Sequence, residues 1–203
     1  MSKEPISVKK RNGRGVEPLD LEKIHVMVEE ATKGVAGVSA SQVEIQSGIQ
    51  FYDGISTEEI QEILIRSASD LIDLEHPNYQ FVAARLLLFA IRKSLYGKMR
   101  DIPHLEKHIV DCVTKEVYDP AIYDKYSKEE IEEANGYIDH TRDFLFTYAG
   151  LRQVADKYLV QDRSTGRVYE TPQFMYIMIA LTIFAVYPKQ TRMNYVRRYY
   201  NAI

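Results

Sequence analysis

The chain of 203 residues contains one cysteine, Cys112, and no tryptophan. A single thiol excludes an internal disulfide, and it also excludes the paired cysteines of zinc ribbons and CxxC redox motifs. Cys112 stands between Val110 and Val113 in a segment with helical periodicity. We therefore expect a buried, unreactive thiol at this position rather than a nucleophile.

Long apolar runs and a strong charge bias are also missing. No apolar run reaches the roughly 20 residues that cross a bilayer, and the charged start Met1–Glu4 is not followed by a signal-like apolar segment. With 26 basic and 29 acidic residues, the formal net charge is -3, which disfavours a general nucleic-acid binder. We expect a cytoplasmic globular protein that binds neither nucleic acid nor membranes and recognises small charged ligands or other proteins.

The usual catalytic and metal-binding motifs are absent as well. The sequence has no GxxxxGK[ST] motif and no GxGxxG motif that opens a helix, so no standard phosphate loop is present. Among the five histidines only His104 and His108 share a helical face, and this spacing predicts two partly exposed side chains rather than a metal site. Acid pairs such as Glu129 and Glu130 are interpreted as a solvated helix face. No Ser/His/Asp or Cys/His arrangement is recognisable.

Hydrophobic periodicity and turn signals predict a mainly α-helical fold that begins with a β-hairpin. The hairpin covers residues 6–19, with its turn at Asn12–Gly13, and Pro18 confines the returning strand to a sheet edge. Asp20 is the predicted N-cap of the first helix. The apolar face of that helix comprises Leu21, Ile24, Met27, Val28 and Ala31.

Capping boxes predict the starts of three later helices, at Ser39-x-x-Gln42, Ser56-x-x-Glu59 and Ser127-x-x-Glu130. Apolar periodicity predicts further helices over 79–93, 104–117, 143–158, 174–187 and 191–203, and a second hairpin over 158–170. The expected fold is a helical bundle capped by a small β-hairpin, followed by a helical domain with a second β-hairpin. The expected boundaries are 1–95 for the first domain, 96–137 for a connecting segment and 138–203 for the second domain.

Cations flank the start of the first helix. Lys10 precedes the hairpin turn, and Lys23 lies in the first helical turn after Asp20. A helix N-terminus offers unpaired backbone N–H groups and the positive end of its dipole, so this arrangement favours an anion such as a triphosphate. A solvated basic hairpin explains the same spacing, and from the charges alone both interpretations stay open.

The same segment resembles the opening of the ATP-cone, a regulatory nucleotide-binding domain found mainly in ribonucleotide reductases. The resemblance rests on Lys10-Arg11-Asn12-Gly13, Glu17-Pro18-Leu19-Asp20 and Lys23-Ile24. It continues in the manner of class I large (alpha) subunits through residues 51–57, 77–85, 91–93 and 96–97. Residues 138–143, 157–160 and 169–174 resemble the all-helical domain that precedes the catalytic barrel of those subunits.

This resemblance implies that ATP and dATP, accompanied by magnesium, bind here as allosteric effectors, with ATP activating and dATP inhibiting. The residues implied to bind nucleotide are Lys10, Glu17, Pro18, Leu19, Asp20, Leu21, Glu22, Lys23, Thr57 and Lys93. Two residues depart from a well-studied member of the family: Gln61 replaces a histidine and Glu30 replaces a tryptophan.

The resemblance also implies that the catalytic residues lie outside this chain. Reduction in this family uses a thiyl radical and a cysteine pair on a barrel, which a single cysteine cannot supply, so we expect no catalytic residue and no reductase activity in this chain alone. We interpret it as the N-terminal part of an alpha subunit, whether truncated, fragmentary or half of a split protein. The implied partners are the rest of the alpha subunit, a second alpha subunit and a radical-generating beta subunit.

Two alternatives remain from the sequence. One is a stand-alone ATP-cone regulator of transcription, although the four-cysteine zinc ribbon of such proteins cannot form with one cysteine. The other is a helical scaffold with a degenerate cone that binds no adenine nucleotide.

Overall fold

A computed structural model describes residues 6–10, 13 and 15–203 of the chain. It has the predicted mainly α-helical fold with two small hairpins. Its contacts define two compact units: the first runs through Ala90 and includes Phe144–Arg152, and the second comprises Ile91–Asp143 and Gln153–Ile203. The domain boundaries expected at residues 95 and 137 stay a prediction.

A three-stranded sheet opens the first unit. Strand β1 (Ser7–Lys9) pairs antiparallel with β2 (Val16–Pro18) and parallel with β3 (Ile55–Ser56), so β2 is an edge strand. The hairpin and the edge position of Pro18 are confirmed, while the predicted turn at Asn12 lies outside the described residues. The sequence pattern does not reveal β3, because a strand of two residues is too short to show alternation.

Four helices follow the hairpin: α1 (Leu21–Thr32), α2 (Ala40–Gly48), α3 (Thr57–Asp70) and α4 (Tyr79–Tyr96). Asp20 is the N-cap of α1, as predicted, and four of the five residues assigned to its apolar face are buried. Leu21 is the exception. It is 66% exposed, because the first helical turn presents this side chain to solvent, so its assignment to the core is wrong.

The capping boxes that start at Ser56 and Ser127 are confirmed, whereas the box predicted at Ser39 is wrong. The Ser39 side chain makes no cap hydrogen bond. The hydroxyl group of Tyr79 acts in its place: it accepts a hydrogen bond from the Ser39 backbone N–H at 3.0 Å and donates one to the Gln42 side chain. A tertiary contact therefore replaces the local cap.

The rest of the chain forms α5 (Leu105–Thr114), α6 (Ile122–Lys125), α7 (Lys128–Asn135), a 3-10 helix (His140–Leu145), α8 (Tyr148–Lys157), the hairpin β4 (Gln161–Asp162) and β5 (Arg167–Val168), α9 (Pro172–Phe184) and α10 (Lys189–Ala202). The second hairpin is confirmed. The continuous helix predicted over 143–158 is wrong, since the 3-10 helix ends and α8 begins afresh. The Thr147 side chain accepts a hydrogen bond from the Gly150 N–H at 3.2 Å, which is how a hydroxyl group caps a new helix.

His108 corrects the expectation of two surface histidines. It is 2% exposed, because it lies on the face of α5 that packs into the second unit, where its ring stacks on Phe174 with centroids 4.1 Å apart. Its Nε2 atom lies 3.1 Å from the Tyr118 hydroxyl group. Cys112 is buried as predicted, and burial raises the pKa of its thiol to about 12.

Glu130 corrects the interpretation of the acid pairs as a solvated face. Its carboxylate accepts hydrogen bonds from Nε of Arg192 at 2.7 Å and from a terminal guanidinium nitrogen at 2.5 Å. Arg192 is buried, and its guanidinium lies 4.2 Å from the centre of the Tyr126 ring. This two-point pair links α7 to α10.

A second buried ion pair, between Arg92 and Asp143, organises the polar interior of the same unit. The two charged groups lie 2.8 Å apart, and the Gln173 amide donates to the other Asp143 oxygen at 2.9 Å. Burial raises the pKa of Asp143, while Gln173 and Arg92 oppose that shift. The Tyr200 hydroxyl in turn donates to Gln173 at 2.6 Å.

Candidate functional site

The first hairpin brings a lysine and a glutamate together across its two strands. In the β1–β2 register Glu17 lies opposite Val8, and the Lys10 N–H donates to the Gly15 carbonyl group at 2.9 Å. The ammonium group of Lys10 lies 2.6 Å from Oε2 of Glu17. Hydrogen bonding to Lys10 lowers the pKa of Glu17, which stabilises the ionised form of the carboxylate.

The start of α1 adds a second pair of opposite charges. The Asp20 side chain accepts a hydrogen bond from the Lys23 N–H at 3.2 Å, and the ammonium group of Lys23 lies 3.2 Å from the other Asp20 oxygen. These two contacts lower the pKa of Asp20. Lys23 also lies 3.9 Å from Oε1 of Glu17. Lys10, Glu17, Asp20 and Lys23 thus form one connected group, the charge cluster.

The parallel pairing of β1 with β3 adds the start of a second helix. Lys9 is opposite Ser56, so the next residue of each segment, Lys10 and Thr57, leaves the sheet at the same end. Thr57 is the first residue of α3, and its hydroxyl group donates to Glu58 at 3.1 Å. Lys10 and the N-terminus of α3 therefore lie at the same end of the sheet, which is a favourable place for an anion.

A short turn holds β3 in register. The Asp53 carboxylate accepts hydrogen bonds from the backbone N–H of Ser7 at 2.8 Å and from its hydroxyl group at 2.5 Å. Gly54 has φ +80°, a left-handed conformation that suits glycine, and its N–H donates to the Ser7 carbonyl group at 2.9 Å. The Asp-Gly pair ahead of a capping box was a sequence signal for this turn, but it did not identify the partner strand.

The capping glutamate of α3 is fixed from both sides. The Glu59 carboxylate accepts hydrogen bonds from the Ser56 N–H at 2.8 Å and from the Tyr52 hydroxyl group at 2.7 Å. Together with the Ser56 side chain these contacts lower the pKa of Glu59 to about 2. The first turn of α3 is consequently held in place before any ligand is present.

A shallow cavity of about 520 Å³ adjoins the charge cluster. Its lining comprises Glu17, Pro18, Leu19, Asp20, Leu21 and Lys23, all of them predicted site residues. This volume lies in the range of about 300–1,000 Å³ that is typical of small-molecule sites.

The four other predicted residues lie outside the lining of this cavity. Lys10 belongs to the charge cluster, Thr57 stands at the end of the sheet described above, and Glu22 follows in the first turn of α1. Lys93 lies in the last turn of α4, within the second compact unit, and its nucleotide contact stays a prediction.

Within the described residues, no group of three or more His, Cys, Asp and Glu side chains could hold a metal ion. In that same part of the chain, no helix combines the length and the apolar character needed to span a membrane.

Comparison with known families matches two separate parts of the chain. The family described as "ATP cone domain" matches residues 6–94, which contain the charge cluster and Thr57. The family described as "Ribonucleotide reductase, all-alpha domain" matches residues 144–203.

Individual relatives match almost the whole chain. The chain is 46% identical over 197 residues to the ribonucleoside-diphosphate reductase subunit alpha of Haemophilus influenzae. It is 45% identical over 196 residues to the ribonucleoside-diphosphate reductase 1 subunit alpha of Escherichia coli. Each match covers 97% of this chain and 26% of the relative. The subunit alpha of Enterobacteria phage T4 is 42% identical over 169 residues. The chain thus spans about a quarter of the length of the curated relatives it matches.

Proposed function

The chain belongs to the ribonucleotide reductase alpha-subunit family, through its ATP-cone domain and its all-alpha domain, and we propose that its first unit is a nucleotide sensor. In this proposal residues 6–94 bind ATP and dATP and so regulate a ribonucleoside-diphosphate reductase. The all-alpha region supplies a helical support for the remainder of such a reductase. No residue of this chain is assigned a catalytic role.

The charge cluster is the observation that carries the proposal. It places the ammonium group of Lys23 beside the start of α1 and links it through Glu17 to the ammonium group of Lys10. Lys10 in turn leaves the sheet at the end where Thr57 begins α3. Lysine ammonium groups, a hydroxyl group and helix N-termini are the chemistry that binds polyphosphates. We assign the phosphates to Lys10, Lys23 and Thr57, and the loop Glu17–Lys23 to the wall beside the nucleoside. Lys93 is proposed as a further phosphate contact.

Magnesium accompanying the triphosphate fits this site chemically. Magnesium prefers oxygen ligands, and the ionised carboxylates of Glu17 and Asp20 are donors of that type. When bound, the ion would neutralise part of the phosphate charge.

Regulation then follows from linkage. ATP and dATP differ only in the ribose 2′-hydroxyl group, so they can drive opposite responses only if that group changes their relative affinity for two states of the reductase. The proposed partners in those states are the rest of the alpha subunit, a second alpha subunit and the radical-generating beta subunit. We propose the cytoplasm as the location, because these nucleotides are made and used there.

The direct test measures thermal stabilisation of the chain by ATP and dATP. A ligand that binds only the folded state, at about 100 times its dissociation constant, should add roughly 2.7 kcal/mol of stability. We predict that Lys23→Ala weakens binding by about 1.5–3 kcal/mol, because it removes a charge-assisted phosphate contact.

Lys33→Ala is the matched control, since it removes one exposed lysine beyond the opposite end of α1. It should bind ATP as the unmodified chain does. Equal binding by the two variants would contradict the assignment of Lys23. Absence of binding by the unmodified chain would favour the degenerate cone, a scaffold without nucleotide.

A further inference from the structure

We propose that Glu17 is an internal counter-ion, which occupies the phosphate-binding lysines until a nucleotide displaces it and thereby sets the affinity of the site. This inference rests on the proposed function, and it assigns Glu17 a competing role where the resemblance implied a simple contact.

The geometry gives each oxygen of the Glu17 carboxylate a lysine. Oε2 lies 2.6 Å from the ammonium group of Lys10, and Oε1 lies 3.9 Å from that of Lys23. The carboxylate therefore stands where an anionic ligand would have to contact both lysines. Its side chain is 33% exposed, so solvent and ligands reach it.

The charges of the cluster balance without a ligand. Lys10 and Lys23 contribute two positive charges, while Glu17 and Asp20 contribute two negative ones. Hydrogen bonding to Lys10 lowers the pKa of Glu17 and so stabilises its ionised form. A triphosphate thus meets a charge cluster whose four formal charges cancel, and it gains the full attraction of these two lysines only when the carboxylate moves away.

The two carboxylates of the cluster, on Glu17 and Asp20, differ in their structural roles. Asp20 caps α1 by accepting the Lys23 N–H, so its position is fixed by the helix start. Glu17 lies on the edge strand β2, and its carboxylate contacts the lysines of the cluster. Displacing Glu17 therefore leaves the helix cap intact, which makes it the carboxylate that can yield to a ligand.

The test compares Glu17→Gln with Glu29→Gln in the full chain. Both substitutions remove one negative charge from the first unit. Glu29 lies in a later turn of α1, where its carboxylate is 3.3 Å from Nε2 of His25, and it belongs neither to the charge cluster nor to the assigned nucleotide contacts. Binding of inorganic triphosphate and of ATP would be measured by calorimetry, without divalent cations and with EDTA, at roughly 0.05 M and 0.5 M salt. Thermal melting of each variant without ligand checks that the fold is retained.

We expect Glu17→Gln to bind inorganic triphosphate about five- to tenfold more tightly than the unmodified chain at low salt. The gain should shrink at high salt, because the exposed charges are then screened. Glu29→Gln should stay within about twofold of the unmodified chain.

Other outcomes overturn the inference. If Glu17→Gln binds triphosphate no more tightly than Glu29→Gln, or more weakly than the unmodified chain, Glu17 is not a competing counter-ion. If the unmodified chain still binds ATP in that case, the proposed function stands and this inference alone fails. If no variant binds ATP or triphosphate, both fail.

Discussion

Two histidines of the second unit, the buried His108 and the half-buried His140, couple its stability to pH. Desolvation lowers the pKa of His108 to about 3 and that of His140 to about 4, so both side chains are neutral in the folded protein at neutral pH. In the unfolded chain a histidine takes up its proton at about pH 6.5. As the pH falls below that value, the unfolded state binds protons first and the folded state loses stability.

We therefore predict that the free energy of unfolding falls between about pH 6.5 and pH 3, by up to about 1.4 kcal/mol per pH unit for His108. His108→Gln should remove this contribution, so that the free energy of unfolding changes less steeply with pH. The variant should also be less stable at pH 7, because it loses the stacking against Phe174. His104→Gln, at an exposed position, is the control. Urea unfolding at several pH values measures the slopes, and identical slopes in the two variants would contradict the assignment.

Local sequence rules predicted the roles of some residues and missed those of others. The difference is how far along the chain the interacting partner lies. Asp20 and Ser56 act through backbone groups two or three positions away, so their roles could be inferred from the sequence. His108 and Glu130 depend on Phe174 and Arg192, which lie more than 60 positions further along the chain. A helical period gives the face of a side chain but not the partner that covers it.

Among the elements, α2 depends on a distant side chain for its start. The buried Tyr79 hydroxyl accepts the Ser39 N–H and donates to Gln42, so the first residue of α4 does the work of a local cap. We predict that Tyr79→Phe lowers the free energy of unfolding by about 1–3 kcal/mol, because it leaves a backbone donor and a side-chain acceptor without their partner.

Serine substitutions provide the matched comparison for that prediction. Ser39→Ala should change stability by no more than about 0.5 kcal/mol, since the Ser39 side chain makes no cap hydrogen bond. Ser56→Ala should cost about 0.5–2 kcal/mol, because that side chain accepts the Glu59 N–H at 3.1 Å. Thermal or urea unfolding ranks the three variants. A larger loss for Ser39→Ala than for Tyr79→Phe would mean that α2 starts with a conventional capping box.

The elements of the candidate site were predicted unevenly. The hairpin and the starts of α1 and α3 follow from turn and capping signals in the sequence. The pairing of β1 with β3 does not, because a parallel contact between segments 47 positions apart has no local signature. That pairing brings Thr57 to the end of the sheet that Lys10 leaves. The sequence predicts Thr57 only from the resemblance and from its place in the first turn after Ser56, not from any contact with the hairpin.

At the scale of the whole molecule, nucleotide binding should slow amide exchange in the first unit but not in α9 and α10 of the second. The charge cluster and Thr57 belong to the first unit, while α9 and α10 belong to the second. A ligand that binds the folded first unit lowers the population of its open forms, and amides that exchange through such openings slow by the same factor.

We predict that ATP at about 100 times its dissociation constant slows amide exchange in β1, the first turn of α1 and the first turn of α3 by up to about a hundredfold. Amides of α9 and α10 should change little, because the proposed site contains none of their residues. Hydrogen exchange followed by mass spectrometry gives this map, and Lys23→Ala at the same ATP concentration is the control that should lose most of the effect. Protection concentrated in residues 172–202 would locate the nucleotide in the all-alpha region and would contradict a sensor built on the hairpin, because no lysine of the charge cluster lies there.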